Sequence, residues 1–246
     1  MTRALVLLCA ASVGVTVVGA LLGRTPSVNE AAAQSPASAS LAVASAAHDS
    51  TFAGLDLPAP GTYVLDHIMQ TPSVSVLDSD GSVQPLRRFV TGKVTLFAFI
   101  YTACSDARGC PLALATMHAL KAAIAQDPRL REQVRFVSMS FDPAYDTPQA
   151  MRSYGGIDAR PNARPRWHFL TSRSARELNP VLLGFGQDMR AGDSAAAAGG
   201  AMDRAPLEHL LKIYLVDQQG TVREIYSPAF LQASAMLADI RSLVRE

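Results

Sequence analysis

Hydrophobic positions along most of the chain switch between the pattern of strands and that of helices. The continuous apolar run Val94–Tyr101 is typical of a strand buried on both faces of a parallel sheet, and the run Val134–Phe141 is predicted as the next strand. A helix signal follows each run: Pro111 suits a first helical position, and Thr147-Pro148 combines a cap with a first turn. The central region therefore predicts strands alternating with helices.

Turn signals on both sides of this region predict β-hairpins. Asp78–Gly81 separates two short alternating segments, and Asp217–Gly220 separates the runs Leu210–Val216 and Thr221–Tyr226. The helix after Pro111 is predicted to end at Asp127-Pro128. The remaining predicted elements are a short strand, a capped helix that Pro180 limits or kinks, and a terminal amphipathic helix: Trp167–Leu170, the segment after Ser174, and Phe230–Val244.

This order of elements predicts an α/β protein. Strand–helix alternation implies a parallel sheet with helices on its faces, and the second hairpin would close that sheet with antiparallel strands. The expected architecture is a thioredoxin-like fold, with a central mixed sheet flanked by helices and an extra N-terminal hairpin. In that topology the first strand of the closing hairpin runs antiparallel beside the central strand.

The N-terminal sequence predicts a membrane-targeting segment and a linker. Residues 4–22 carry no charge and follow Arg3, and as a helix they would span about 28 Å, close to the thickness of a bilayer core. Residues 1–24 are therefore interpreted as an anchor or a signal peptide, and either one implies export. Residues 25–60, in which Ala, Ser and Pro make up 21 of 36 positions, form the predicted linker to a domain at 61–246.

Charge and composition exclude some classes of function. The chain has 22 Lys and Arg residues against 21 Asp and Glu residues, so it lacks the basic surplus of a nucleic-acid-binding protein. It also lacks the glycine motifs of nucleotide-binding loops. With only three cysteines it is not a disulfide-stapled miniprotein.

Candidate chemistry is concentrated in the loop after the first buried run. Cys104 and Cys110 lie there, where α/β sheets bind ligands, and their C-x5-C spacing requires the loop to fold back before the sulfurs can meet. The following helix N-terminus and Arg108 favour the Cys110 thiolate, whereas Asp106 opposes it. A passive disulfide that staples the loop is an equally good interpretation of the spacing.

One histidine extends this set. His209 is predicted to open the closing hairpin, which brings it beside the cysteine loop, and two thiolates with one imidazole suit copper. The alternative is a strand-end histidine that faces solvent. A structural or surface role is favoured for the other histidines, which are His48, His67, His118 and His168.

Three strings give the chain a family resemblance: Phe99-Ile-Tyr-Thr-Ala-Cys104 ahead of Cys110-Pro111, then Ser140-Phe-Asp-Pro-Ala-Tyr-Asp-Thr-Pro148, then His209 ahead of Tyr214-Leu-Val-Asp217. In these strings the sequence resembles the Sco/SenC family of copper-binding, thioredoxin-like proteins. The resemblance implies a copper metallochaperone that delivers copper to the binuclear copper site of cytochrome c oxidase, or that reduces the cysteines of that site. It also implies copper ligation by Cys104, Cys110 and His209, at the periplasmic face of the inner membrane.

The cysteine loop departs from the family pattern, which is C-x3-C rather than C-x5-C. The longer loop leaves open a thiol–disulfide oxidoreductase that acts on target cysteines through Cys104 and Cys110, with His209 only tuning thiol acidity. It also leaves open whether the acceptor is the oxidase subunit or another exported copper protein. A peroxidase of the peroxiredoxin type is disfavoured, because Tyr101 stands three residues before Cys104 where such a site has threonine.

Overall fold

The computed structural model describes residues 58–104, 109–187, 189–191 and 207–246, with the backbone alone for 189–191 and 207–209. These ranges belong to one compact unit, residues 36–246. The predicted anchor at residues 4–22 and nearly all of the predicted linker lie outside them. Within the described ranges, no helix has the length and apolar character needed to cross a bilayer.

The described elements follow the predicted alternation of strands and helices. The strands are β1 (Met69–Gln70), β2 (Ser75–Asp78), β3 (Val83–Pro85), β4 (Val94–Ile100), β5 (Val134–Ser140), β6 (Arg166–Thr171), β7 (Met189–Ala191), β8 (Leu207–His209), β9 (Ile213–Val216) and β10 (Thr221–Tyr226). The helices are α1 (Arg87–Val90), α2 (Cys110–Gln126), α3 (Pro128–Gln133), α4 (Pro148–Gly155), α5 (Ala175–Gly184) and α6 (Ala233–Leu243), and a 3-10 turn spans Pro228–Phe230.

Eight strands form one mixed sheet, in the order β1-β10-β9-β4-β5-β6-β2-β3. Strand β4 lies parallel to β5 and antiparallel to β9, and β2 of the N-terminal hairpin pairs with β6. The predicted α/β architecture is therefore confirmed, including the extra hairpin at one edge. The sheet brings the end of β4 and the start of β9 to the same side, because Ala98 pairs with Ile213.

The core forms around the two central strands, since every residue of β4 and β5 is buried. Phe97 of β4 stacks on Phe185 with 4.5 Å between ring centroids, and Tyr214 of β9 meets the same Phe185 ring at 5.0 Å. Aromatic groups packed in this way contribute beyond their buried area. The strand that carries the cysteine loop is therefore held firmly on both faces.

Both predicted hairpin turns are present, and each places a glycine in a backbone conformation that side chains disfavour. Gly81 has φ of +88° and Gly220 has φ of +87°. At Gly220 a Cβ atom would also approach Thr91 Cγ2 at 3.0 Å. Glycine is thus required there by backbone geometry and by space.

Three local predictions need correction. Asp127 does end α2, but its carboxylate also accepts the N–H groups of Arg129 and Leu130 and so begins α3, which the sequence analysis missed. Pro180 does not end its helix, because α5 continues to Gly184. The terminal helix begins at Ala233 rather than at Phe230, because residues 228–230 form the 3-10 turn instead.

His168 lies on β6 in the core and generates a prediction about stability. Its imidazole meets Phe89 edge-on at 4.9 Å, and Nδ1 lies 3.9 Å from Asp78 Oδ2. Burial, and after it the positive charges of Arg166 and Arg135, lower the pKa of His168 to about 3. Below about pH 6.5 this histidine is therefore protonated in the unfolded chain but stays neutral in the native state. The free energy of unfolding falls as the pH falls.

We expect His168→Phe to remove this contribution. Between pH 6.5 and pH 5 the free energy of unfolding of the variant should gain about 2 kcal/mol relative to the parent, at about 1.4 kcal/mol per pH unit. Urea titrations of both proteins at several pH values measure this difference. If the free energy of unfolding had the same pH dependence in parent and variant, His168 would not titrate in this way.

Candidate metal and thiol site

The cysteine loop begins where β4 ends. Tyr101 is buried against Phe141, with 5.0 Å between ring centroids, and Cys104 N–H donates to the Tyr101 carbonyl at 3.2 Å. This turn directs the chain away from the sheet. The first residue of α2 is Cys110, and its early proline is the predicted Pro111.

The two thiols lie against each other. Cys110 is buried, Cys104 is half-buried, and a side-chain hydrogen bond joins them. The two thiols of the C-x5-C motif are therefore neighbours at the end of β4. Both groups are thiols in this structure.

The expectation of an acidic Cys110 is wrong. Burial raises the pKa of the Cys110 thiol, and this effect exceeds the lowering by hydrogen bonds with the backbone at Tyr101 and at Cys110 itself. The adjacent Cys104 thiol raises the pKa further. Helix-end polarity favours a thiolate only where solvent or a partner supports the charge, and Cys110 is 2% exposed. The contribution expected of Arg108 falls on a residue outside the described ranges.

A buried carboxylate holds the start of the loop. Asp146 accepts hydrogen bonds from Thr102 N–H at 3.1 Å, from Thr102 Oγ1 at 2.5 Å and from Ser140 Oγ at 2.6 Å. Its side chain is fully buried, so these bonds replace lost hydration. Because Thr102 lies two residues before Cys104, Asp146 fixes the backbone that leads to the first thiol.

The sequence analysis treated Asp146 only as part of a family string. Its role depends on the pairing of Ile100 with Ser140, which brings the ends of β4 and β5 side by side. A usable signal was the position of Asp146 in the short loop after a buried strand, one residue before the helix cap Thr147. Polar residues that follow adjacent parallel strands meet at one edge of a sheet.

The position of His209 differs from the prediction. It does not open the closing hairpin: it is the last residue of β8, which pairs with β7 in a separate two-stranded sheet and faces Met189 in the ladder. The closing hairpin starts later, at Ile213, and the Leu210 carbonyl before it accepts a hydrogen bond from Gln187 Nε2 at 3.0 Å. The chain before Ile213 still reaches the edge of the sheet where β4 ends.

Of the three predicted site residues, the side chains of Cys104 and Cys110 lie together. For His209 only the backbone is described. Among the side chains that the structure describes, no three His, Cys, Asp or Glu residues form a group that could hold a metal. Two adjacent thiols are soft donors that suit Cu(I), and one further imidazole would complete a three-coordinate set. The same pair also suits reversible disulfide formation.

Comparison with family models finds a match over most of the chain. The family model described as SCO1/SenC matches residues 75–245. A search of the curated proteins finds no significant match.

Several solved structures share the fold. A copper-bound ScoI from Arabidopsis thaliana is 20% identical, with a TM-score of 0.57 over 71% of this chain and 98% of that one. BsSco, described as a Sco-family cytochrome c oxidase assembly protein with a disulfide switch, is 23% identical, with a TM-score of 0.57 over 74% of this chain and 98% of that one. Copper-bound Sco1 from yeast is 15% identical, with a TM-score of 0.56 over 71% and 90%.

We expect Asp146→Asn to loosen the cysteine loop. One carboxylate oxygen becomes an NH2 group that faces other donors, and an unsatisfied buried group costs about 1–3 kcal/mol. Because Asp146 fixes the backbone that leads to Cys104, its loss should also shift the reduction potential of the pair. Chemical denaturation and a redox titration against glutathione measure the two effects.

The neighbouring Thr147→Ala is the matched control. Thr147 Oγ1 accepts Ala150 N–H at 3.2 Å as the cap of α4, and its removal should cost about 1 kcal/mol without moving the potential. Equal potentials for Asp146→Asn and Thr147→Ala would contradict the positioning role of Asp146.

Proposed function

The chain belongs to the SCO1/SenC family, and from that premise we propose that it binds copper and acts in the assembly of cytochrome c oxidase. The observation that carries the proposal is the contact between the Cys104 and Cys110 thiols at the end of β4. Copper-bound structures of the Arabidopsis and yeast proteins support the choice of metal, and BsSco is described as a member of a family of cytochrome c oxidase assembly proteins.

The proposed copper ligands are Cys104, Cys110 and His209. Sulfur and imidazole together accept both Cu(I) and Cu(II), whereas a structural zinc site usually takes four protein ligands. Support for His209 comes from the backbone: the chain between β8 and β9 reaches the edge of the sheet that carries the cysteine loop. Copper is the cargo in this proposal, and binding displaces the thiol protons.

The proposed acceptor is the copper-site subunit of cytochrome c oxidase or another exported copper protein. Cys104 is the more accessible thiol, since it is half-buried while Cys110 is buried. An acceptor thiolate would therefore reach copper from the Cys104 side. We place the domain outside the cytoplasm, held at the periplasmic face of the inner membrane by residues 4–22.

Thiol–disulfide exchange is the second candidate function, and the hydrogen bond between the thiols favours it. The Cys104 thiolate would attack a target disulfide and release one target thiol. Cys110 would then attack the mixed disulfide and release the second thiol. The target gains two electrons and two protons, and the pair on this chain is left as a disulfide.

The His209→Ala variant separates the two functions. Copper titration of the reduced, full-length parent should show one copper ion per chain. The variant should lose the Cu(II) absorption, bind Cu(I) more weakly and keep disulfide cycling, because Cu(I) tolerates two sulfur ligands and Cu(II) does not. Cys110→Ser should abolish both activities. Parental Cu(II) binding in His209→Ala would exclude His209 as a ligand and put the exchange function first.

The copper-free protein should form a reversible disulfide between Cys104 and Cys110. A thiol-trapping reagent applied to the oxidised full-length chain should then label one cysteine, Cys9, and all three cysteines after reduction. Mass spectrometry of the labelled peptides identifies them. Labelling of Cys104 and Cys110 after mild oxidation would contradict the exchange function while leaving the copper titration as an independent test.

A further inference from the structure

A buried glutamine connects the core to the segment that carries His209. Gln187 is 5% exposed, and both ends of its amide are used. Its Nε2 donates to the Leu210 carbonyl at 3.0 Å, and its Oε1 accepts the Tyr214 hydroxyl at 3.1 Å. Both strands of the small sheet, β7 and β8, lie between Gln187 and Leu210 in the sequence. The hydrogen bond from this glutamine therefore connects the two ends of that segment.

The segment from Leu207 to Lys212, here called the histidine arm, consists of β8 and the three residues before β9, and its Leu211 is buried in the core. Residues 210–212 belong to no strand, and Leu210 is 65% exposed. A second side-chain bond to the base of the arm runs from Lys212 Nζ to the Gly186 carbonyl at 2.7 Å. Because Leu210 directly follows His209, the bond from Gln187 acts one residue from the proposed ligand.

The other end of this connection is rigid. Tyr214 is fully buried on β9, its ring meets Phe185 at 5.0 Å between centroids, and its backbone pairs with Phe97 of the central strand. A hydroxyl held in this way gives the Gln187 amide a fixed orientation. The histidine arm is thereby fixed relative to β4, the same strand that carries the cysteine loop.

We propose that Gln187 is a positioning residue for His209, acting through Leu210 and oriented by Tyr214. The proposal rests on the proposed function for the role of His209 as a copper ligand. Groups that orient metal ligands without touching the metal commonly change affinity by about 10–100-fold when they are removed. Asp146 would position the cysteines in the same way, so the cysteine loop and the histidine arm would be positioned by different residues.

The test replaces Gln187 with methionine, which has similar length and makes no strong hydrogen bond. In the copper-free, reduced full-length protein, amide exchange in β7 and β8 should accelerate about tenfold or more relative to β4 and β5. Cu(II) affinity should fall by roughly tenfold or more. The reduction potential of the cysteine pair should stay at the parental value, which a general loss of structure would not allow.

Two further variants keep the test decisive. Tyr214→Phe leaves the Gln187–Leu210 bond in place but removes its anchor, so it should give the same changes at smaller size, and it decides the matter if Gln187→Met does not fold. Tyr63→Phe is the matched control, because it also removes one tyrosine hydroxyl bond, to Asp239 Oδ1 at 2.6 Å on α6. It should leave exchange in β7 and β8 and Cu(II) affinity unchanged.

Parental exchange in β7 and β8 for Gln187→Met would overturn the positioning role. So would parental Cu(II) affinity in that variant alongside its loss in His209→Ala. If His209→Ala itself binds Cu(II) like the parent, the ligand assignment in the proposed function fails. The exchange measurement on the copper-free protein still decides whether Gln187 holds the arm.

Discussion

The pairing of β4 determines where the chemistry of this protein lies. This strand is buried along its whole length, with parallel β5 on one side and antiparallel β9 on the other. A parallel neighbour brings a second strand end to the edge where the cysteine loop begins, and an antiparallel neighbour brings a strand beginning to the same edge. Three segments distant in sequence therefore converge there: the cysteine loop, the loop after β5 and the chain that carries His209.

Convergence alone does not hold these segments, because each leaves the sheet and loses its ladder hydrogen bonds. The loop after β4 is held by the Asp146 carboxylate, which accepts two bonds from Thr102 and one from Ser140. The histidine arm is held by the amide of Gln187. Buried polar groups of this kind cost free energy unless every donor is matched, so they make the local geometry specific.

Burial also distinguishes the two cysteines. Cys110 is buried at the start of α2, where desolvation raises the pKa of its thiol, while Cys104 remains partly open to solvent. A cargo or a target disulfide would therefore meet Cys104 first. Cys110 gains full reactivity only when a metal or a sulfur partner takes the place of its proton.

The fold was predictable where local patterns are strong. The apolar runs at β4 and β5, the cap at Thr147 and the glycine turns at Gly81 and Gly220 all lie where the sequence indicated. These signals are local, because they depend on burial of a whole strand or on the conformation of a single residue.

The parts that could not be predicted depend on distant contacts. The segment that carries His209 lies outside the hairpin, and the side chain that binds the Leu210 carbonyl there, Gln187, is 23 residues away in the sequence. The raised pKa of Cys110 depends on its burial in the folded domain, and the clamp at Asp146 depends on strand register. None of these is a property of a short stretch of sequence.

Copper X-ray absorption on the Cu(I)-loaded full-length protein tests the central claim most directly, because it counts the atoms bound to the metal. The account predicts two sulfur neighbours and one nitrogen neighbour, with the nitrogen lost in His209→Ala and one sulfur lost in Cys110→Ser. A copper shell without sulfur, or one unchanged by both substitutions, would contradict it.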